Sequence, residues 1–439
     1  MTNHTASSVF WGSSFHIEMK KIFIRSAKFL IIIGILQGLL CLSALIPTDR
    51  INVNMKKSGE YFHEQSMLPI LIDGSECSML HTFADEVILS IAYYMNPEEP
   101  LNSAVWAYYY IDGEQLNDSL LSAVSNRIPP NREYLRYWHG AVTILRPLHL
   151  ILSVKKIKIL NGILLFILAT VLVGLLWKTD FCLEAINFII SLVLVSAWVV
   201  PFCLEYTWSF LCMLVFSIVA VFMELKDKCS SFLFFVSGMI TVYFDFLTTE
   251  TLSLLIPLLL VLRIREKKAE NEADTTYAFK SCLSWLVGYA STWGAKWLIA
   301  TAVTKQNSLL FVSEHINERL YGSANMPLPE YLWQAIALNF KKLFFFDYGL
   351  VGAVILLLII IVGFIMVCTN AIKIKKHVNL YQISLYAALG MIPYIRFIVL
   401  RNHSYYHSFF TYRAQMASVM ALVFIGAELF QRASARKIK

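Results

Sequence analysis

The chain has 439 residues, 57% of them hydrophobic and 15% charged, with 30 Phe and 21 Tyr. That balance excludes an ordinary soluble domain and points to a polytopic, all-α membrane protein. The net charge of +7 raises nucleic acid as a partner, but the Lys and Arg residues sit in short clusters beside apolar runs, where they read as topology signals, so none is expected.

Residues 1–28 form a polar tail that ends basic with Lys20, Lys21, Arg25 and Lys28, ahead of an apolar run at 29–46. A cleaved signal peptide is the alternative reading. The run is long enough to span, and Leu42 to Pro47 offers a poor small-x-small site, so an uncleaved first span with a cytoplasmic N-terminus is expected. Residues 47–158 follow as one long polar loop.

Within that loop, a helix through residue 80 onwards would gather Leu80, Phe83, Ala84, Val87, Ile88 and Ile91 on one face and Asp85, Glu86, Ser90 and Tyr93 on the other. Tethered between spans, such a helix is expected to lie along the bilayer surface with its acids at the water boundary. Further apolar runs occur at 159–177, 185–200, 208–223, 232–246, 252–262, 282–303, 349–368, 383–400 and 412–430. With the first run this makes about ten spans, judged against the ~20 apolar residues a spanning helix needs. The run at 252–262 is short and holds Pro257, so it must recruit 247–250 or bend against its neighbours.

Threading ten spans from a cytoplasmic N-terminus puts the basic stretches 263–268, 373–377 and 432–439 on the cytoplasmic side, with both termini. The module 29–303 is then followed by a second outer loop at 304–348, expected to carry another surface helix, and by C-terminal spans and a basic tail at 349–439. Lys155, Lys156 and Lys158 are the exception, left at the outer surface, where they either snorkel or meet lipid phosphate. Eight cysteines include no CxxC and no Cys/His spacing that suits zinc, and read as small apolar fillers.

Ionisable groups gather at the outer ends of the spans: Asp49, Asp245, Lys296, Arg396, Arg401, His403, His407 and Arg413, joined by Tyr405 and by His81, Arg136 and His139 from the first loop. Charges at membrane depth usually face a protein interior or a wet cavity, so one shared cavity is the economical reading. Each has a plainer alternative. Asp85 and Glu86 read equally well as a solvated helix face, Lys296 as a snorkelling residue, Arg136 to His139 as an aromatic belt, and Asp245 as a helix cap. His81, one turn before Asp85, is placed to orient that carboxylate. His403 and His407 are one turn apart, which permits a metal pair, yet no third ligand follows from spacing, and phosphate or sugar hydrogen bonding fits better.

One span, a large acidic outer loop, a run of closely connected spans and a second outer loop together resemble the GT-C superfamily of membrane glycosyltransferases. The resemblance covers nearly the whole chain as architecture, and Asp85-Glu86 is similar to the Asp-Glu pair of protein mannosyltransferases. The pair lies far down the loop and no DxD or WWDYG-type motif is present, so Asp49 and Asp73 stand as rival bases. The resemblance implies transfer of a sugar from a polyprenyl-phosphate donor to a glycan, lipid or protein acceptor at the outer face of a bacterial plasma membrane. Asp85 would be the base with Glu86 in support, cations would meet the departing phosphate, and no cofactor is expected, with a divalent metal left open because the superfamily varies. A transporter or flippase of a lipid-linked glycan and a polysaccharide polymerase or ligase are the alternatives.

Overall fold

The computed structural model describes residues 5–113, 115–268, 274–308, 326–343 and 380–434, with positions 313, 317, 318, 320 and 322 between them, and side chains from residue 23 to 429. Its named elements are helices, and the only extended pairings among the described residues are two isolated bridges, Ile70 with Met79 and Tyr109 with Arg132. Among the described residues five stretches are helical, long and apolar enough to cross a membrane: Phe23–Ala44, Val154–Lys178, Leu204–Leu225, Leu380–Val399 and Ser408–Leu429. The chain is therefore a helical membrane protein. Exposed Leu30, Ile31, Phe166, Phe222 and Ile395 give these helices the apolar outer surface that lipid requires.

In chain order the helices are α1 (Thr5–Ala44), α2 (Thr48–His63), α3 (Thr82–Tyr94), α4 (Pro100–Trp106), α5 (Ser119–Asn126) and α6 (Val142–Leu148). There follow α7 (Val154–Lys178), α8 (Cys182–Leu194), α9 (Leu204–Leu225), α10 (Ser231–Phe244), α11 (Leu252–Lys268) and α12 (Thr275–Thr304). The last five are α13 (Leu328–Lys341), α14 (Leu380–Val399), α15 (Arg401–Tyr406), α16 (Ser408–Thr411) and α17 (Met416–Ser434). The apolar runs expected at 185–200 and 232–246 correspond to the shorter helices α8 and α10. The expected span 349–368 and the basic stretch 373–377 lie outside the described residues.

Helix α11 explains its own shortness. Every residue from Leu252 to Leu262 is buried, so the helix runs through protein and has no lipid thickness to match. Pro257 removes the amide that would bond to the Ser253 carbonyl four residues earlier. Ser237 of α10 supplies that bond instead, its Oγ donating to Ser253 O at 2.9 Å. Helix α11 runs parallel to α9, with Ser209 bonded to Thr249 near one end and Glu224 paired to Arg265 near the other.

Helices α10 and α12 are also parallel, and they touch backbone to backbone. A Cβ added at Gly238 would lie 2.3 Å from the Trp285 carbonyl oxygen, and one at Gly288 2.2 Å from that of Phe235. Two glycines facing each other allow this approach, and lipid-embedded helices depend on such packing because lipid offers no hydrophobic drive. At the end of the bundle where α11 terminates, buried Arg263 pairs with Glu184, Glu266 and Glu428, tying α8, α11 and α17 together.

The first loop folds over the opposite end of the bundle, and Arg146 of α6 is its hub. The guanidinium, fully buried, donates to the carbonyls of Ala92, Tyr93 at 3.3 Å, Met95 at 2.9 Å and Ile46 at 2.5 Å, and to Thr48 Oγ1 at 3.2 Å. It thereby satisfies the carbonyl ends of α1 and α3 with one cation. Burial lowers its pKa to about 10, which leaves it charged at neutral pH.

Helix α3 departs from the surface-lying arrangement expected of it. Its carboxylate-bearing face is turned into protein, with Asp85, Glu86, Ser90 and Tyr93 all buried. The reason is that other backbones end against it. Glu86 accepts from Leu120 N at 2.7 Å in the first turn of α5, Asp85 from Glu205 N at 3.0 Å in the first turn of α9, and Ser90 from Tyr110 N at 3.1 Å. Helix N-termini attract carboxylates, and two are served here by adjacent residues. Helix α13, expected as a second surface helix, is buried along Tyr331, Ala335 and Asn339 and bonds through Asn339 to Ser404 O at 2.8 Å, while Trp333 is exposed.

Candidate functional site

A cavity of about 290 Å³ opens where the first loop meets the ends of α9, α10 and α15. Its ionisable lining is His81, Arg136, Glu205, His403 and His407, set among Phe83, Tyr109, Tyr134, Tyr137, Phe246 and Phe410. One wall is the apolar face of α3 through Phe83, Ala84, Val87 and Ile88, the face expected to rest on lipid. The mixture of aromatic surface and a few convergent charges is typical of a small-molecule site.

The charged groups reach the cavity from distant parts of the chain. His81 immediately precedes α3, and its Nδ1 lies 2.7 Å from Glu205 Oε2, where Nδ1–H donates to the carboxylate. Glu205 occupies the first turn of α9, whose dipole favours a negative charge. Rings gather beside the pair: His81 is 5.9 Å from His407 and 6.1 Å from Phe410, and His407 is 4.7 Å from His403. His403 Nε2 donates to the Leu247 carbonyl at 2.8 Å. Arg136 faces this group from the first loop, held over the rings of Tyr134 at 4.4 Å and Tyr137 at 5.5 Å.

The backbone beside the cavity is under conformational strain at two non-glycine positions. His139 has φ +58° and Leu247 φ +65°, each adjacent to cavity-lining aromatics. The turn at His139 is fixed because Gly140 docks on α10, donating to Tyr243 O at 2.8 Å where a Cβ would lie 2.4 Å from that same oxygen. Leu247 is held by Arg396, which donates to its carbonyl at 2.5 Å and forms a two-pronged pair with Glu250 at 2.7 and 3.1 Å.

Of the residues singled out in the sequence, the cavity gathers His81, Arg136, His403 and His407. His139 lies directly behind it, 5.0 Å ring to ring from Tyr134, with Nε2 donating to Tyr134 O at 2.7 Å. Burial drives its pKa down to about 3, so this imidazole is neutral. Asp85 sits on the far side of Glu205, fully buried, bonded to the Glu205 amide and to Cys203 Sγ at 3.3 Å and paired with Lys158 at 2.9 Å. The Lys158 ammonium thus neither snorkels nor faces lipid phosphate, whereas Lys155 and Lys156 are exposed. Glu86 is enclosed against α5, and burial raises its pKa to about 7 despite the bond from Leu120 N.

The remaining positions do other things. Asp49 and Asp73 are exposed, with Asp49 3.4 Å from Arg127. Lys296 is fully buried and donates to Val105 O at 3.1 Å, securing the carbonyl end of α4 and making no approach to the cavity. Arg413 is likewise spent on carbonyls, those of Cys77 at 2.9 Å and Phe409 at 3.3 Å. Asp245 closes its own turn, accepting from Thr248 N at 3.1 Å and from the Thr248 hydroxyl. Arg401 and Tyr405 face α13, the guanidinium 5.9 Å and the phenol ring 5.4 Å from the Tyr331 ring. Glu314, His315 and Arg319 fall outside the described residues.

Sequence reasoning passed over Glu205, Arg146 and Glu250. Glu205 carried a readable signal, a lone carboxylate three residues ahead of the apolar run at 208–223, but it sat in the gap between two assigned spans. Among the described residues no group of three or more His, Cys, Asp or Glu side chains has the arrangement of a metal site. No family model, curated protein or solved structure matches the chain.

Proposed function

We propose that the chain is a membrane transferase that moves a sugar from a polyprenyl-phosphate carrier to a hydroxyl of a glycan, lipid or protein acceptor, in the cavity under the first loop. The observation that carries this reading is the His81–Glu205 pair, 2.7 Å apart, sharing one cavity with Arg136, His403 and His407. A carboxylate bound at Nδ1 makes Nε2 the basic nitrogen of a neutral imidazole. Nε2 then takes the acceptor's hydroxyl proton as the oxygen attacks the anomeric carbon, and Glu205 stabilises the imidazolium that forms. The bond from anomeric carbon to phosphate oxygen breaks, the carrier phosphate leaves with the electron pair, and the configuration inverts. Arg136, His403 and His407 meet the charge on that phosphate.

In this reading Asp85 is a positioning residue that holds the first turn of α9, and with it Glu205, in place. The cavity faces outward and the Arg263 to Lys268 end faces the cytoplasm, as the positive-inside rule favours for a bacterial plasma membrane. Ten spans, the eighth at 349–368, bring both termini to that cytoplasmic side.

The test uses the full chain in proteoliposomes holding a labelled polyprenyl-phosphate hexose, and follows release of free polyprenyl phosphate. Wild type releases it, and His81→Gln slows release by a factor on the order of 10²–10⁴, the range of a lost general base. Movement of the intact carrier across the bilayer without cleavage would replace transfer by transport.

A further inference from the structure

A second cleft has no part in that chemistry. It measures about 710 Å³ and lies between α1, α10 and α12, toward the end of the bundle where α10 begins. The cleft exists because the facing side chains are small: Ser26 on α1, Ser231 on α10, and Ser284 and Ser291 on α12 leave the space between three helices unfilled. On α12 it follows one stripe from Lys280 to Ser291, about 16 Å at a rise of 1.5 Å per residue.

The lining changes character along that length. At the helix-end side are Arg25 and Lys280, both exposed, and Ser26 and Ser231 join them in the lining. Lys28 lies beside them with its Nζ 4.9 Å over the Phe232 ring. Further along, the walls are Phe29, Phe235, Leu283 and Val287, and the last two are themselves exposed, so the cleft is reached from the lipid side. Ser291 presents no open hydroxyl to this apolar part, because its Oγ donates to Val287 O at 2.5 Å. The cationic end is shared with Arg265 and Lys268, which pair with Asp274 and Asp227. Among the described residues, no acidic side chain lines the cleft to offset Arg25 and Lys280.

We propose that this cleft binds an anionic phospholipid, its phosphodiester held by Arg25 and Lys280 and its acyl chains lying along Phe29, Phe235, Leu283 and Val287. Charge complementarity selects the headgroup, since two exposed cations at the membrane boundary favour anionic lipid. The small-residue stripe admits the chains. The site is independent of the transfer reaction and stands or falls separately from it.

The experiment is native mass spectrometry of the purified chain with phosphatidylglycerol, phosphatidylcholine or soluble glycerol phosphate added in turn, alongside the thermal midpoint in the same detergent. Wild type should retain one phosphatidylglycerol through delipidation and gain several degrees from it, with neither effect from the other two probes. Arg25→Ala/Lys280→Ala should lose retention at least tenfold, and Ser284→Phe, which fills the cleft while keeping the charges, should lose it too. Undiminished retention in either folded variant overturns the proposal, as does equal stabilisation by glycerol phosphate or by phosphatidylcholine. If the double cation variant does not fold, Ser284→Phe and the lipid comparison on wild type decide the matter.

Discussion

His81 and Glu205, 124 positions apart in the chain, meet at 2.7 Å on the wall of one cavity. Neither position alone would draw attention, since each sits at the start of an apolar helix, where a polar residue ordinarily serves the free amides. Their juxtaposition makes an imidazole with one nitrogen tied to a carboxylate, and this yields a sharp expectation. His81→Gln and Glu205→Gln should each lower transfer by about 10²–10⁴-fold, and the double variant should be little worse than His81→Gln, because the two act as one unit. Steady-state kinetics on purified variants check this. Fully additive losses would mean that the two residues serve separate steps.

A second expectation concerns Asp85 and Lys158, paired at 2.9 Å with side chains 0% and 5% exposed. Removing one partner strands a buried charge, so Asp85→Asn should destabilise the chain by about 3–5 kcal/mol, whereas Asp85→Asn/Lys158→Met should recover most of that loss. Thermal unfolding in detergent measures both. The double variant also separates structure from chemistry: a folded double variant that still transfers sugar shows Asp85 to be a positioning residue, and a folded but inactive one makes it part of the reaction.

The apolar runs were plainly legible because lipid imposes length and composition on each segment separately. The long helices at 154–178, 204–225 and 380–399 follow directly. What the sequence could not reveal is which polar groups satisfy one another. Lys296, Arg413 and Asp245 carry the marks of site residues, yet each is consumed by a nearby carbonyl or amide. The two faces of α3 were separated correctly by their spacing, but their surroundings were not, because the helix ends of α5 and α9 that bind the acids come from far along the chain. Periodicity reports a face and says nothing of what arrives to cover it.

The glycine contact between α10 and α12 gives a third expectation. Gly288→Ala would drive a Cβ to 2.2 Å from the Phe235 carbonyl oxygen, and backbone cannot move aside as a side chain can. A loss of about 1–3 kcal/mol is expected from overpacking, with the cavity wall at Phe246 disturbed through α10. Gly174→Ala is the control, since nothing lies within 4 Å of its added Cβ, and there alanine should be neutral or mildly stabilising. Comparable losses at the two positions would show that α10 and α12 do not rely on the close approach.

The fourth expectation concerns how Glu86 shapes the pH dependence of stability. Burial holds His139 near 3 and His149 near 4, both below the ordinary 6.5, so the unfolded chain binds more protons there and stability is lost as pH falls below 6.5. Glu86 acts in the opposite sense. Its pKa is raised from 4.5 to about 7, the folded chain binds more protons in that window, and its contribution falls as pH rises. Glu133 and His63 also bind protons more tightly in the folded first loop, so the informative quantity is the difference between wild type and a Glu86 variant, in which every group but Glu86 cancels. Thermal midpoints followed by the fluorescence of buried Trp138 would trace both profiles. Relative to wild type, Glu86→Gln should gain about 1.4 kcal/mol per pH unit between pH 4.5 and 7. An unchanged profile in that variant would mean that Glu86 is ionised in the folded chain throughout the range.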